Sequence, residues 1–193
     1  MEDPAFEHLL TPRLVLRRFR AGDVEAFAAY RSDPEVARYQ GWEAPYSREE
    51  AEDFVASLAG LGPGRPGTWF QFAVAPRPDG PLLGDCALRT SRRDPRRGEL
   101  GFTFARANQG RGYATEAAAA VLAYAFGTLG MERVEAAIDA RNARAERLLE
   151  RLGLRFQGTL QGVTPPGEGE ARELAYAALA RTWRPPAGLG GER

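Results

Sequence analysis

The sequence contains no lysine: all 26 of its basic residues are arginine. A nucleotide-binding loop ending in Gly-Lys-Ser/Thr is therefore excluded. There is one cysteine, Cys86, and one histidine, His8. A single cysteine rules out an intrachain disulfide and a thiolate zinc site, and a lone histidine near the start argues against a histidine metal cluster or a Ser-His-Asp triad. No metal is expected. Long apolar runs are also missing, so no segment reaches the ~20 residues that cross a bilayer. The opening, with Glu2, Asp3 and Glu7, is acidic and leads into no apolar stretch, unlike a secretory signal. A cytoplasmic protein with no membrane partner is expected. The 26 basic residues meet 26 acidic ones, and this neutral balance disfavours a nucleic-acid partner, whose phosphates need an excess of cations.

What is present is a chain of 193 residues, 44% hydrophobic, enough for one core. We expect a single domain over residues 1–184 and a Pro/Gly-rich disordered tail over 185–193. Residues 13–19 alternate as a first strand. Asp23 can cap a helix to about Arg31, and Pro34 suits the first position of a short turn. Ser47 and Glu50 have capping-box spacing, predicting a helix to about Ala59. Gly62, Pro63, Gly64, Pro66 and Gly67 then break the chain. Residues 69–75 and 82–88 read as a hairpin around a turn at 77–80. A basic loop at 92–97 leads to a fourth strand, 99–105.

From about Gly112 to Leu129 the apolar positions 114, 118, 121, 122, 125 and 129 follow helical spacing, and Gly130 ends the helix. A fifth strand covers 133–139, a helix runs 142–152 with Gly153 as its stop, and two strands follow at 155–160 and 173–179. The fourth and fifth strands are joined through a helix and should be parallel; their neighbours should be antiparallel. The expected fold is α/β (α+β): a mixed, mostly antiparallel sheet of about seven strands, with about four helices on both faces.

The most informative stretch is Asn108-Gln109-Gly110-Arg111-Gly112-Tyr113-Ala114-Thr115-Glu116. It leads from a strand through two glycines into a helix. Free N–H groups and the positive end of the helix dipole make such a place fit for a pyrophosphate, and Arg111 adds a charge. Two glycines alone are equally consistent with an ordinary helix start. A dinucleotide fingerprint is disfavoured, because Thr115 stands where its third glycine belongs.

These residues resemble the GNAT family of N-acetyltransferases, whose motif Gln/Arg-x-x-Gly-x-Gly/Ala is matched by Gln109, Gly112 and Ala114. Thr115-Glu116-Ala117 and the opening 10–17 are similar to the branch that acetylates protein N-termini, including those of ribosomal proteins (RimJ/RimL-like). The stretch from Asn142 to Gly153 is similar to the family's later helix. The resemblance implies a GNAT-like sheet whose fourth and fifth strands splay apart, and acetyl-CoA as co-substrate. It also implies a backbone contact from Phe102, Thr103 and Phe104 to the pantetheine arm. The amides of Gly110, Arg111, Gly112, Tyr113, Ala114 and Thr115 would hold the pyrophosphate, and Asn142 would reach the pantetheine or thiol end while also capping its helix.

Attack on a thioester needs a neutral amine and a stabilised oxyanion. Glu99, at the start of the fourth strand, is the candidate general base; the alternative is a carboxylate paired with Arg92, Arg93, Arg96 or Arg97. Relatives carry a tyrosine at the position of Leu149 or a serine at that of Ala145 as leaving-group acid, and neither is present. Cys86 is expected to be a packed thiol. Tyr39 and Trp42, with Tyr46, either line the acceptor pocket or belong to the core. The missing lysines fit either avoidance of self-acylation or codon bias in a GC-rich genome, which the Ala, Gly and Pro abundance favours.

The function expected is acetyl transfer to a primary amine, with a protein N-terminal α-amine as acceptor. The alternatives are a small-molecule amine, or an acyl-CoA-binding module without turnover. The sequence leaves a homodimer open.

Overall fold

The computed structural model describes residues 2–161 and 172–188. Alternating apolar side chains build one eight-stranded sheet: β1 (His8–Leu10), β2 (Leu14–Arg17), β3 (Trp69–Pro76), β4 (Gly84–Thr90), β5 (Arg97–Phe104), β6 (Arg133–Asp139), β7 (Arg155–Gln161) and β8 (Arg172–Leu179). The order across the sheet is β1-β2-β3-β4-β5-β6-β8-β7, and every neighbouring pair is antiparallel except β5 with β6. Three residues at the N-terminus therefore form a strand that alternation did not mark, because β1 is too short to show a period. The expected fourth and fifth strands are β5 and β6.

Among the described residues, five α-helices flank the sheet: α1 (Val24–Arg31), α2 (Pro34–Ala37), α3 (Arg48–Ser57), α4 (Tyr113–Gly127) and α5 (Ala143–Arg151). On one face Val24, Phe27, Tyr30 and Ala51 of α1 and α3 pack with Ala73 and Leu82. On the other, Ala118, Val121 and Leu122 of α4 and Leu148 and Leu149 of α5 pack with Leu88, Leu100 and Phe104. The capping box of α3 forms as its spacing requires: Glu50 N donates to Ser47 Oγ at 3.1 Å and Ser47 N to Glu50 Oε2 at 2.7 Å.

Asp23 does not cap α1. Its carboxylate is buried and takes a forked pair from Arg17, at 2.7 and 2.9 Å, and the Arg20 amide at 3.0 Å. A guanidinium in reach outcompetes the helix amides for a buried carboxylate. The tail expected over 185–193 lies outside the described residues from 189 onward.

Candidate active site

β5 and β6 pair over only three residues, Arg97↔Arg133, Gly98↔Val134 and Glu99↔Glu135. Beyond Glu99 and Glu135 they part, β5 staying with β4 as far as Phe104 and β6 with β8 as far as Asp139. The result is a fork in the sheet. The direction of the backbone groups along β5 follows from its two ends. Ala105 N donates to Leu83 O at 3.1 Å, and Ser91 N donates to Arg97 O at 2.9 Å. Odd-numbered residues of β5 therefore bond to β4, and by alternation the even ones face β6: the Glu99↔Glu135 pairing takes up the Leu100 N–H, while the Leu100 C=O and the backbone groups of Phe102 and Phe104 turn into the fork. Thr103 turns its backbone groups to β4. Phe104 O is occupied by the Gln109 side-chain amide at 3.0 Å, leaving a short unpaired strand edge on the inner side of the fork.

The loop beyond β5 completes this edge. Gly110 and Gly112 adopt φ of +75° and +79°, a left-handed backbone that side chains with a Cβ resist. The first amide bonded back into α4 is that of Glu116, to Gly112 O at 3.0 Å. Among the described residues, the amides of Gly110, Arg111, Gly112, Tyr113, Ala114 and Thr115 donate to nothing. Gly110, Arg111 and Gly112 are exposed, and Tyr113, Ala114 and Thr115 half-buried. Six free N–H groups at the positive end of a helix form an anion cradle.

Several anchors hold the cradle. Arg144 Nη1 donates to Gln109 Oε1 at 3.1 Å, tying the loop to α5, and Asn108 Nδ2 donates to Leu83 O at 3.1 Å. Glu116, only 2% exposed on the first turn of α4, accepts from Thr11 Oγ1 at 2.6 Å, from Arg13 N at 2.9 Å and from Arg13 Nε at 2.6 Å. Arg13 Nη1 reaches on to Arg111 O at 3.0 Å, and the guanidinium lies 4.7 Å above the Tyr113 ring. Sequence reading passed over Arg13 as an ordinary strand arginine. A charge in the helix's first turn, amid an apolar run, was the available signal for its partner Glu116.

Asn142 caps α5, its Oδ1 accepting from Ala145 N at 3.1 Å. Leu149 is fully buried and Ala145 nearly so. Both are packing positions on α5 without an ionisable group, so the acid carried there by relatives has no counterpart at these two positions.

On the sheet face under α1 and α3 stand the odd-numbered side chains of β5. Glu99 is partly exposed and pairs with Arg89 Nη1 at 3.5 Å, its cross-strand neighbour on β4, rather than with the arginines of the 92–97 loop. A Cβ at Gly101 would stand 3.7 Å from the Ala87 Cβ and 3.8 Å from the Trp69 ring. Asp85, buried at the head of β4, accepts from Tyr30 OH and from Gln71 Nε2 at 3.2 Å. Burial pushes its carboxyl up to about 6, against the opposing pull of the Tyr30 hydrogen bond and the Arg31 charge. Cys86 is fully buried and its thiol is pushed up by burial, so it is a packed thiol.

The two expected acceptor residues, Tyr39 and Trp42, have different neighbours. Tyr39 lies within 5.9 Å of the Arg141 guanidinium, just beyond β6. Asp33 joins Arg106, just beyond β5, at 3.0 Å, so the chain around α2 reaches both arms of the fork. Trp42 instead belongs to a cage. Its ring is 4.0 Å from the Arg31 guanidinium, whose other walls are Phe27 at 4.3 Å, Phe54 at 4.8 Å and Tyr46 at 5.1 Å. Trp42 Nε1 also donates to Arg31 O at 3.1 Å.

Residues 13–155 match the family model of the acetyltransferase (GNAT) domain. The chain belongs to the GNAT acetyltransferases. This makes it an acetyl-CoA-dependent acyltransferase. Among curated relatives, the uncharacterised N-acetyltransferase YoaA of Bacillus subtilis (strain 168) is 31% identical over 156 residues, 81% of this chain and 87% of that one. A GNAT-family acetyltransferase structure from Bacillus anthracis superposes with TM-score 0.79 at 27% identity, over 90% of this chain and 99% of that one. Two more distant structures share the fold of this GNAT chain. Mycobacterium smegmatis RimJ in complex with CoA-disulfide has TM-score 0.80 and 20% identity over 94% and 91% of the two chains. Spermidine N-acetyltransferase of Vibrio cholerae, in complex with CoA and spermine, has TM-score 0.73 and 21% identity over 87% and 96%.

Proposed function

We propose that the protein transfers the acetyl group of acetyl-CoA to a primary amine, and that the acceptor is the α-amine of a protein N-terminus. The observation that carries the first part is the juxtaposition of six free amides at 110–115 with the unpaired inner edge of β5. The cradle suits a pyrophosphate. The Leu100 C=O and the N–H and C=O groups of Phe102 suit the amides of a pantetheine arm, which would add to the sheet as a strand does. Asn142 keeps its side-chain N–H groups for the same arm while its oxygen caps α5.

The thioester would then lie where β5 and β6 part, and the Phe102 N–H would face the developing oxyanion. Glu99 is the last paired residue before the fork and is the group placed to take the amine proton, directly or through a water. With leucine and alanine at positions 149 and 145, protonation of the thiolate falls to solvent. An N-terminal α-amine is favoured by the likeness to RimJ. A small amine is the second reading, supported by the fold shared with the spermidine enzyme.

Calorimetry with coenzyme A on the wild type and on Gly112→Val tests the placement. A side chain at φ +79°, with its Cβ 3.3 Å from Arg13 Nη2, should abolish binding in a protein that still folds. Unchanged affinity in the folded variant overturns the cradle. Thiol release against N-terminal peptides, polyamines and amino acids then decides the acceptor.

A further inference from the structure

A groove of about 460 Å³ opens at the base of the fork, lined by Arg89, Ser91, Arg92, Arg93, Asp94, Arg97, Gly98, Glu99 and Glu135. Two of these, Glu99 and Glu135, are the last register pair before β5 and β6 separate. The groove therefore adjoins the point where the thioester would be attacked, with Glu99 in its lining.

Its charges are unevenly matched. Each lining carboxylate already has an arginine: Glu99 has Arg89 at 3.5 Å, and Asp94 has Arg96 at 3.2 Å. Glu135 has Arg97 at 3.0 Å and Arg133 at 2.7 Å. Arg92 and Arg93 have no carboxylate partner among the described residues. The Arg92 stem packs beside Gly67, at the close approach that a Cβ there would make, 3.4 Å, which helps to hold it at the groove wall. Two uncompensated guanidinium groups thus flank the approach to the candidate base.

We infer that this groove selects an acceptor carrying a carboxylate a short tether away from its amine, with Arg92 and Arg93 holding the carboxylate while the amine meets Glu99. This rests on the acetyl-transfer reading above and narrows its substrate. A guanidinium accommodates a carboxylate through paired N–H groups, whereas a polyamine would bring cations to a wall whose carboxylates are already taken. The carboxylate has two sources, an acidic side chain early in a peptide or the terminal carboxylate of a small amino acid.

The test uses the full chain saturated with coenzyme A, so that affinity is read without turnover. Peptides beginning Ala-Asp-Asp, Ala-Asn-Asn and Ala-Arg-Arg form one arm; 4-aminobutyrate, its amide and 1,4-diaminobutane form the other. Acidic members should bind about tenfold more tightly than their amides, and the basic members most weakly. Preference in the peptide arm identifies the side-chain source, and preference in the small-molecule arm the terminal carboxylate. Arg92→Ala/Arg93→Ala should erase the preference, and Arg92→Glu/Arg93→Glu should reverse it, both with coenzyme A affinity unchanged. No acid-over-amide difference in either arm, or a preference that survives the double variant, overturns the inference. If coenzyme A itself fails to bind the wild type, it is the acetyl-transfer reading that falls.

Discussion

Arg13 and Glu116, 103 residues apart, meet at 2.6 Å, and the same arginine carries on to the Arg111 carbonyl. One carboxylate in the core thus positions both the β1–β2 turn and the loop of free amides. Glu116→Ala would leave the Thr11 hydroxyl, the Arg13 amide and the Arg13 guanidinium without their acceptor. We expect a loss of about 3 kcal/mol in urea unfolding, and weaker coenzyme A binding in the fraction that folds. Arg13→Met should also lose stability, because it leaves the buried Glu116 carboxylate without its counter-charge, and should weaken coenzyme A by releasing Arg111. Equal coenzyme A affinity in Arg13→Met would separate the ion pair from the cradle.

Glu99→Gln keeps size and hydrogen-bonding capacity. If Glu99 takes the amine proton, turnover should fall by about 100- to 10,000-fold, most of it on the acid limb of the pH profile, with acetyl-CoA affinity unmoved. A loss below about tenfold with an unshifted profile would reduce Glu99 to the partner of Arg89.

Asp85 sets a pH dependence of stability. Its folded carboxyl is raised to about 6 from 3.8, so between those values the folded state holds the proton more tightly than the unfolded chain. The stabilising contribution is complete below about pH 4 and is lost as pH rises through 6, an effect on the order of 3 kcal/mol. Asp85→Asn should flatten this dependence and gain on the wild type at pH 8 relative to pH 5, as read by denaturant midpoints at the two pH values. A gain equal at both would show that Asp85 does not titrate in this range.

Arg31 is 7% exposed, its Nε has no hydrogen-bond partner among the described residues, and four aromatic rings surround it. Stacking on rings suits a planar, weakly hydrated guanidinium and suits a compact ammonium poorly. Arg31→Lys should therefore be less stable than Arg31→Met, by about 1 kcal/mol, at pH 5. Arg31→Met should also move the Asp85 midpoint upward, because the positive charge that lowers it is gone. A lysine variant as stable as wild type would show that the cage recognises charge alone.

Much of this fold was legible because local signals and tertiary structure agree. The Ser47 capping box, the Gly112 helix start and the Gly130 and Gly153 stops all carry their own chemistry in sequence, and each element lies where they place it within a few residues. The fork was legible only through resemblance, because nothing within β5 or β6 tells how many of their residues pair. Long-range polar contacts were opaque for the same reason. Asp23 looks like a cap until Arg17, six residues earlier on β2, turns back to its carboxylate, and Glu116 looks like a surface helix residue until Thr11 and Arg13 close over it. Trp42 was noticed as an aromatic, but its partner Arg31 was not, since a cation at the core is visible only once its neighbours are assembled.

The three-residue pairing of β5 with β6 leaves the protein as two half-sheets, β1 to β5 and β6 to β8, welded at one end and sharing the helices behind them. A ligand that bridges the inner edges acts as a suture as well as a reactant. Amide exchange in β6 and β8 should therefore slow on coenzyme A binding although neither strand touches the amide cradle, and the two halves, able to open separately when empty, should then open as one.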